Sequence, residues 1–333
     1  MIDAAIVGLG AWGKMLVRAV HGKSDKIRIV RAVTRTPSKA ADFSAETGIP
    51  VDSDFDAMLA DKAIDAVVIA TPHSTHVPLI EAAAGAGKHV ICEKPLALEP
   101  EGAAQAFDAC EKAGVVLAVA QNRRFLPAYA ELRRLRDDGS LGTILHIEGN
   151  FSGPSGFRHA TSTWRASQAE SPAGGMTGKG MHLTDLMIDL LGPVAEVDAR
   201  SLRQVLTVDM DDTTTMLLAF AGGGTGYLGT LTATPDDWRF HVYGSKGWAE
   251  IRQEVDLTVS LLGGKPETRR FDKSRIEHSA FEAFADAVEG RAPYPVKRRQ
   301  AIANSALLQA ILQSAAVGQP TAIDLSKFGG TEA

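Results

Sequence analysis

The chain has 333 residues, 45% of them hydrophobic and 23% charged, with a formal charge of −5. That length suits two ordinary domains, and the composition suits a water-soluble globular protein. A mildly acidic balance without a basic footprint argues against nucleic acid as the main partner, and no apolar run reaches membrane-spanning length. Cys92 and Cys110 are the only cysteines and show no metal-ligand spacing, so both are expected to be reduced and structural, with no metal site. The amino terminus enters a strand pattern with no basic segment or signal peptide before it, and a cytoplasmic protein is expected.

Residues 4–7 form a short apolar strand, followed by Gly8-Leu9-Gly10-Ala11-Trp12-Gly13 and then the helical pattern Met15, Leu16, Ala19, Val20. Strand, glycine turn and helix is the context in which GxGxxG holds a dinucleotide. Gly8 permits the tight turn, Gly10 lets backbone approach a pyrophosphate, and Gly13 lets the helix pack close to the strand. The helix amino terminus then offers free N–H groups to phosphate. The second strand, 27–34, ends in Val33-Thr34-Arg35-Thr36, with no carboxylate until Asp42. An arginine between two hydroxyls suits a ribose 2′-phosphate, so NADP is the expected cofactor, with NAD possible. The other reading of Arg35 is an exposed side chain that at most stacks on adenine.

Helices over 37–47, 55–60, 77–86 and 100–113 alternate with apolar strands over 65–70, 88–92 and 115–120. That alternation predicts an α/β fold with a doubly wound parallel sheet. Loops at the carboxyl ends of its strands should line one crevice. Thr71, Pro72, His73 and His76 are therefore candidate cofactor contacts, although His76 also fits a role in capping or packing the next helix. The strand over 88–92 ends abruptly in Glu93-Lys94-Pro95. Charge at the end of a buried strand is costly unless it is paired or at work, so Lys94 is either in an ordinary ion pair or placed to meet a ligand. Pro95 obliges the chain to turn there.

After a helix over 128–136 the pattern changes to strands without intervening helices: 144–150, 194–206, 213–220, 225–232, 239–243, 248–251 and 257–261. Gly222-Gly223-Gly224 and Gly244-Ser245-Lys246-Gly247 read as hairpin connections. A large, mostly antiparallel open sheet in an α+β domain is expected, with helices over 279–289 and 297–316 closing the chain. Between its first two strands lies a polar stretch containing Arg158, His159, Trp164 and Arg165. It leads into a helix beginning at Met181, on which His182 and Asp185 are three apart and share a face. Alone on that helix, His182 reads as a capping or packing residue. Arg158 and Arg165 either hold a substrate carboxylate or are solvated at the surface.

Together these residues resemble the glucose-fructose oxidoreductase, inositol dehydrogenase and MocA family. The resemblance lies in Gly8 to Gly13, Ala70-Thr71-Pro72 with His76, Gly87-Lys88-His89, and above all Glu93-Lys94-Pro95. Gln121-Asn122-Arg123-Arg124-Phe125 is similar to the family's segment entering the second domain, and the likeness continues through Asp212-Thr213-Thr214 and Tyr243 to Gly247. It implies an NAD(P)-dependent oxidoreductase of sugars, cyclitols and related hydroxyl compounds. It implies a Rossmann domain over 1–123, then a substrate-binding and oligomerisation domain over 124–333 that forms a homodimer or homotetramer through its sheet. It implies cofactor contacts from Glu93, Lys94, Asn122 and Arg165, and substrate contacts from Lys94, Arg123, Arg158, Trp164, Lys179, His182 and Asp185. Lys94 is then catalytic or substrate-orienting, and His182 the proton acceptor or a substrate anchor, the former being the role expected here. Many family members carry an aspartate four residues before that histidine, where this chain has Gly178. Either Asp185 substitutes, or Lys179 changes the chemistry, or Lys94 and His182 act alone. A dehydrogenase of a cyclic diol or aromatic-acid catabolite of the dihydroxyphthalate type is an alternative. So is a non-catalytic NADP-binding regulator, against which the joint presence of Lys94 and His182 speaks.

Overall fold

The computed structural model describes residues 1–158, 163–273 and 275–329, and His159 lies outside them. The chain divides into two compact units. In the first, β1 (Ile2–Val7), β2 (Ile27–Val33), β3 (Val51–Asp52), β4 (Ala66–Ile69), β5 (His89–Cys92) and β6 (Leu117–Val119) alternate with helices. These are α1 (Ala11–Val20), α2 (Ala41–Thr47), α3 (Phe55–Ala60), α4 (His76–Gly85) and α5 (Pro100–Ala113). The six strands pair in parallel in the order β3-β2-β1-β4-β5-β6. All four residues of β4 are buried, the continuous apolar run expected of a strand covered on both faces. The order reverses between β1 and β4, so the carboxyl ends of these strands flank the crevice where such sheets bind ligands.

The second unit contains α6 (Pro127–Asp137), β7 (Ile144–Ser152), α7 (Met181–Leu191), β8 (Val194–Leu202), β9 (Thr213–Phe220), β10 (Thr225–Leu231), β11 (Asp237–Gly244), β12 (Gly247–Arg252), β13 (Asp256–Leu261) and β14 (Glu267–Arg270). Its nine-stranded sheet has the order β14-β13-β12-β11-β7-β10-β9-β8-β15, where β15 is Thr321–Ala322. Every pairing is antiparallel except β7 with β10. That parallel pair is possible because the chain between them makes a long crossover through α7, β8 and β9. Both expected hairpins form, joining β9 to β10 and β11 to β12. On the sheet's helix-covered face, Gly149 leaves the room that Leu183 and Met187 of α7 occupy.

The expected division at 123/124 needs one correction. Helix α8 (Ile276–Val288) belongs to the first unit, which comprises Met1–Ala97, Glu101–Asn122 and Arg275–Arg298. Its apolar stripe, Ile276, Ala280, Phe281 and Phe284, is buried where the helix meets α1, β2 and β5. Glu282 accepts from Ser24 Oγ at 3.1 Å, and Asp286 pairs with Lys26 at 2.8 Å. Amphipathic periodicity reveals that such a helix needs a partner surface, not which sheet supplies it. The last long helix, α9 (Arg298–Val317), closes the second unit. The short strands β3, β14 and β15 carry too little pattern to be read from sequence. Among the described residues, no helix is long and apolar enough to cross a membrane, and no group of His, Cys, Asp and Glu could hold a metal ion.

Candidate active site

The glycine turn follows β1 directly. Gly8 has φ of +101°, and a Cβ there would lie 2.5 Å from the Ala70 carbonyl oxygen at the end of β4. A Cβ on Gly13 would collide with the Gly8 carbonyl. At Gly10, by contrast, nothing lies within 4 Å of where a Cβ would be. Gly10 is also the N-cap of α1, with no side-chain cap and no acid in the helix's first turn. The first N–H groups of α1 therefore face an open approach with the helix dipole behind them, which fits a pyrophosphate.

Trp12 Nε1 donates to Glu93 Oε1 at 2.6 Å, so the glycine turn is tied to the end of β5. Glu93 also accepts from the backbone N–H of Lys94 at 3.3 Å. The Lys94–Pro95 peptide is cis. His76 opens α4 with no exposed surface. Its Nδ1 is 2.9 Å from the Pro95 carbonyl oxygen and its Nε2 is 3.1 Å from that of Thr71. The His76 ring is thus enclosed and bridges two strand-end loops, in line with a packing role at the start of α4. His73 packs edge-on to it, with centroids 5.7 Å apart. Thr75 Oγ1 donates within the loop, 2.7 Å from both Thr71 Oγ1 and the Pro72 carbonyl.

Arg35 and Thr36 are exposed, and among the described residues Arg35 makes no ion pair. The acid beside the end of β2 is Asp52 on β3, already held by Arg31 Nε at 2.8 Å. Asn122 is buried and donates to Glu277 Oε1 of α8 at 3.0 Å. Glu93, Asn122 and Glu277 line one small cleft with Leu16, Ile91 and Phe281. Glu277, far away in sequence, carried no local signal. The Cys92 thiol is pushed up by burial and by Glu93, and burial pushes Cys110 up to about 12, so neither is a ready nucleophile.

In the second unit, His182 lies in the first turn of α7 and is 5% exposed. Its ring faces Phe151 at the end of β7, with centroids 6.3 Å apart. The same phenyl ring has the Arg123 guanidinium 5.4 Å from its centroid and the Lys179 ammonium 5.5 Å away. Arg123 Nε also pairs with Glu254 at 2.8 Å. Glu254 and Gln253 hold left-handed φ of +66° and +49° in the turn after β12. Sequence reading missed Phe151 and Glu254. A phenylalanine in a strand is ordinary, and an acid in a turn usually faces water.

The helix containing His182 starts with a π-helical turn over Met176–Gly180, closed by the Met181 N–H donating to the Met176 carbonyl. Such turns are rare and concentrate at functional sites. Gly178 is exposed on it, with nothing within 4 Å of where its Cβ would project. Asp185, the candidate replacement for the missing acid, is engaged elsewhere. It is 1% exposed and held by Arg124 through Nε at 2.5 Å and Nη2 at 2.9 Å. Asp189 joins Arg124 at 2.5 Å and accepts from Tyr129 Oη at 2.7 Å. Burial works against the Arg124 charge, but Asp185 foremost outweighs it and holds the guanidinium above its ordinary pKa. Arg165 lies over the Trp164 ring, 4.0 Å from its centroid, and Arg158 is exposed.

A Rossmann unit with a phosphate-ready glycine turn and a strand-end Glu-Lys-Pro defines a dinucleotide-dependent oxidoreductase. Residues 2–121 match the model of an oxidoreductase family with an NAD-binding Rossmann fold, and 129–250 match the GFO/IDH/MocA C-terminal domain. The chain belongs to the GFO/IDH/MocA oxidoreductase family. It is 28% identical over 326 residues to D-xylose 1-dehydrogenase (NADP(+)) 2 of Haloferax volcanii, covering 95% of this chain and 97% of the relative. Inositol 2-dehydrogenase of Rhizobium meliloti is 28% identical over 325 residues, 93% of this chain and 96% of that one. Among solved structures, levoglucosan dehydrogenase with NADH and L-sorbose superposes with a TM-score of 0.88 at 22% identity, covering 97% of this chain and 99% of that one. Aldose-aldose oxidoreductase of Caulobacter crescentus gives 0.87 at 24% identity, covering 97% of each chain.

Proposed function

We propose that this protein is an NADP-preferring oxidoreductase of a sugar, cyclitol or sugar acid, with Lys94 and His182 carrying the chemistry. The observation that carries the reading is the Trp12–Glu93 hydrogen bond, which couples the dinucleotide turn to the strand end bearing Lys94. When bound, the nicotinamide accepts or supplies the hydride. Gly10 and Ala11 at the start of α1 would receive the pyrophosphate, with Gly8 and Gly13 shaping the turn, and the loop from Thr71 to His73 lies at the neighbouring strand end. Thr34, Arg35 and Thr36 meet the adenosine ribose. The absence of a carboxylate from those three positions, with Asp52 committed to Arg31, supports a 2′-phosphate there. His182 takes the proton of the substrate hydroxyl, since imidazole titrates near neutrality and suits that transfer. Lys94 stabilises the developing alkoxide, or donates to the carbonyl oxygen in the reductive direction.

Lys94→Met is expected to lower turnover by at least ~10²-fold, the scale of losing one charged stabiliser of the transition state, with a much smaller change in NADPH affinity. A substrate screen followed at the nicotinamide absorbance, with NADPH and NADH titrated on wild type and variant, checks both parts. Unchanged turnover would sink the role of Lys94. Tighter binding of NADH than of NADPH overturns the cofactor preference.

A further inference from the structure

Lys179 differs from the other cations of the second unit. Arg123 is paired with Glu254, Arg124 with Asp185, and Arg158 is out in solvent. Lys179 is half-buried on the π-helical turn, and among the described residues it makes neither an ion pair nor a hydrogen bond. Its ammonium lies over Gly153, near enough that a Cβ there would be 2.8 Å from Nζ. Asp236 also borders Gly153, yet it is exposed and does not close an ion pair with Lys179. Burial pushes the Lys179 pKa down and Arg158 adds to that, with Asp236 opposing. The contact with the Phe151 face offsets part of the desolvation but satisfies none of the three N–H donors.

The geometry points to Lys179 as the anchor of an anionic group on the substrate, which makes the substrate class a carboxylate-bearing polyol, an aldonate or uronate or their cyclic equivalent. The inference rests on the oxidoreductase reading above and narrows it. Phe151 explains why the anchor and the proton acceptor go together: Lys179 and His182 meet the same ring, three residues apart in the chain. Gly178 belongs to the same design. It leaves no acid beside Lys179 on the turn itself, so the carboxylate acting on the ammonium is the exposed Asp236 across Gly153, outside ion-pair distance and displaceable by a ligand. A carboxylate arriving at Lys179 gains a charge-assisted hydrogen bond and relieves the half-buried ammonium, whereas a hydroxymethyl group gains only a neutral acceptor's contact.

Matched pairs, aldonates with their alditols and uronates with their aldoses, test this by titration calorimetry with NADPH present. At least one acid should bind wild type about 10- to 100-fold more tightly than its neutral partner. Lys179→Met should remove that discrimination, and Lys179→Arg should keep most of it, with NADPH affinity unchanged in both. The wild-type preference should also shrink as salt is raised, a readout that needs no variant. Equal binding of neutral partners, no acid bound at all, or discrimination surviving in Lys179→Met would overturn the proposal. Binding is read without turnover, so the two readings separate. An acid bound with this discrimination but neither oxidised nor reduced sinks the oxidoreductase reading alone, and turnover confined to neutral polyols sinks the anchor alone.

Discussion

Arg124 and Asp185 meet through two hydrogen bonds to the carboxylate and one to the backbone carbonyl, with no side-chain surface open to water beyond 1%. Arg123, its neighbour in sequence, pairs elsewhere, with Glu254, and lies over Phe151. Alternate residues in a turn leave in different directions, so two adjacent arginines serve a structural network and a candidate substrate surface. Leaving a buried charge wholly uncompensated costs about 3–5 kcal/mol, but Asp189 still pairs with Arg124 when Asp185 is removed. Asp185→Leu is therefore expected to lose stability by less than that, about 1–3 kcal/mol in urea denaturation, while the folded enzyme keeps its substrate KM. A raised KM at normal stability would restore Asp185 to the substrate site.

At the scale of elements, β1, its glycine turn and α1 act as one piece because the helix starts against the Gly8 carbonyl. Gly13→Ala forces the helix off the strand, an overpacking cost of about 1–3 kcal/mol. It should also weaken NADPH binding, measured by fluorescence titration, by displacing the N–H groups of α1. A second junction joins β8 to β9. Asp212 is 1% exposed, and its Oδ2 accepts from the backbone N–H groups of Gln204, Val205 and Leu206 at 2.8, 2.6 and 3.2 Å. Burial alone would raise its pKa, but those donors, with Thr213, hold it below the ordinary carboxylate value. A folded-state pKa below the unfolded one means stability that is full above roughly pH 4 and lost as pH falls through the folded value. Wild type should therefore lose more stability than Asp212→Asn between about pH 5 and pH 2 in urea midpoints. Parallel slopes would contradict this.

At the scale of the whole molecule, β9 in the nine-stranded sheet alternates buried residues with more exposed ones, so one of its faces is the more open. On that face, Leu217, Tyr227, Glu148, His241 and Glu250 form one cross-strand row. Leu217 is 60% exposed, and His241 stacks on Tyr243 with centroids 4.0 Å apart. A row in which Leu217, Tyr227 and His241 alternate with two glutamates on a sheet face suits self-association, the assembly that the family resemblance implies. Light scattering is expected to give the mass of two or four chains, reduced by Leu217→Asp. A single-chain mass for wild type would refute it.

By itself the sequence determined what local pattern can encode. The strand–glycine–helix unit, the alternation that makes the first sheet parallel, the glycine hairpins of the second sheet and the strand-end Lys94 each follow from a few contiguous residues. Tertiary structure alone decided the pairings. It assigned α8 to the first unit, made Glu277 and Glu254 neighbours of Asn122 and Arg123, enclosed His76 between two carbonyls, and withdrew Asp185 into an ion pair. The pairings of Asn122, Arg123 and Asp185 depend on partners brought from far along the chain, whose choice among several chemically equal arginines and acids is settled by packing. Lys179 lies between the two: its charge is plain in the sequence, but its half-buried place on a π-helical turn over the Phe151 ring is a tertiary outcome.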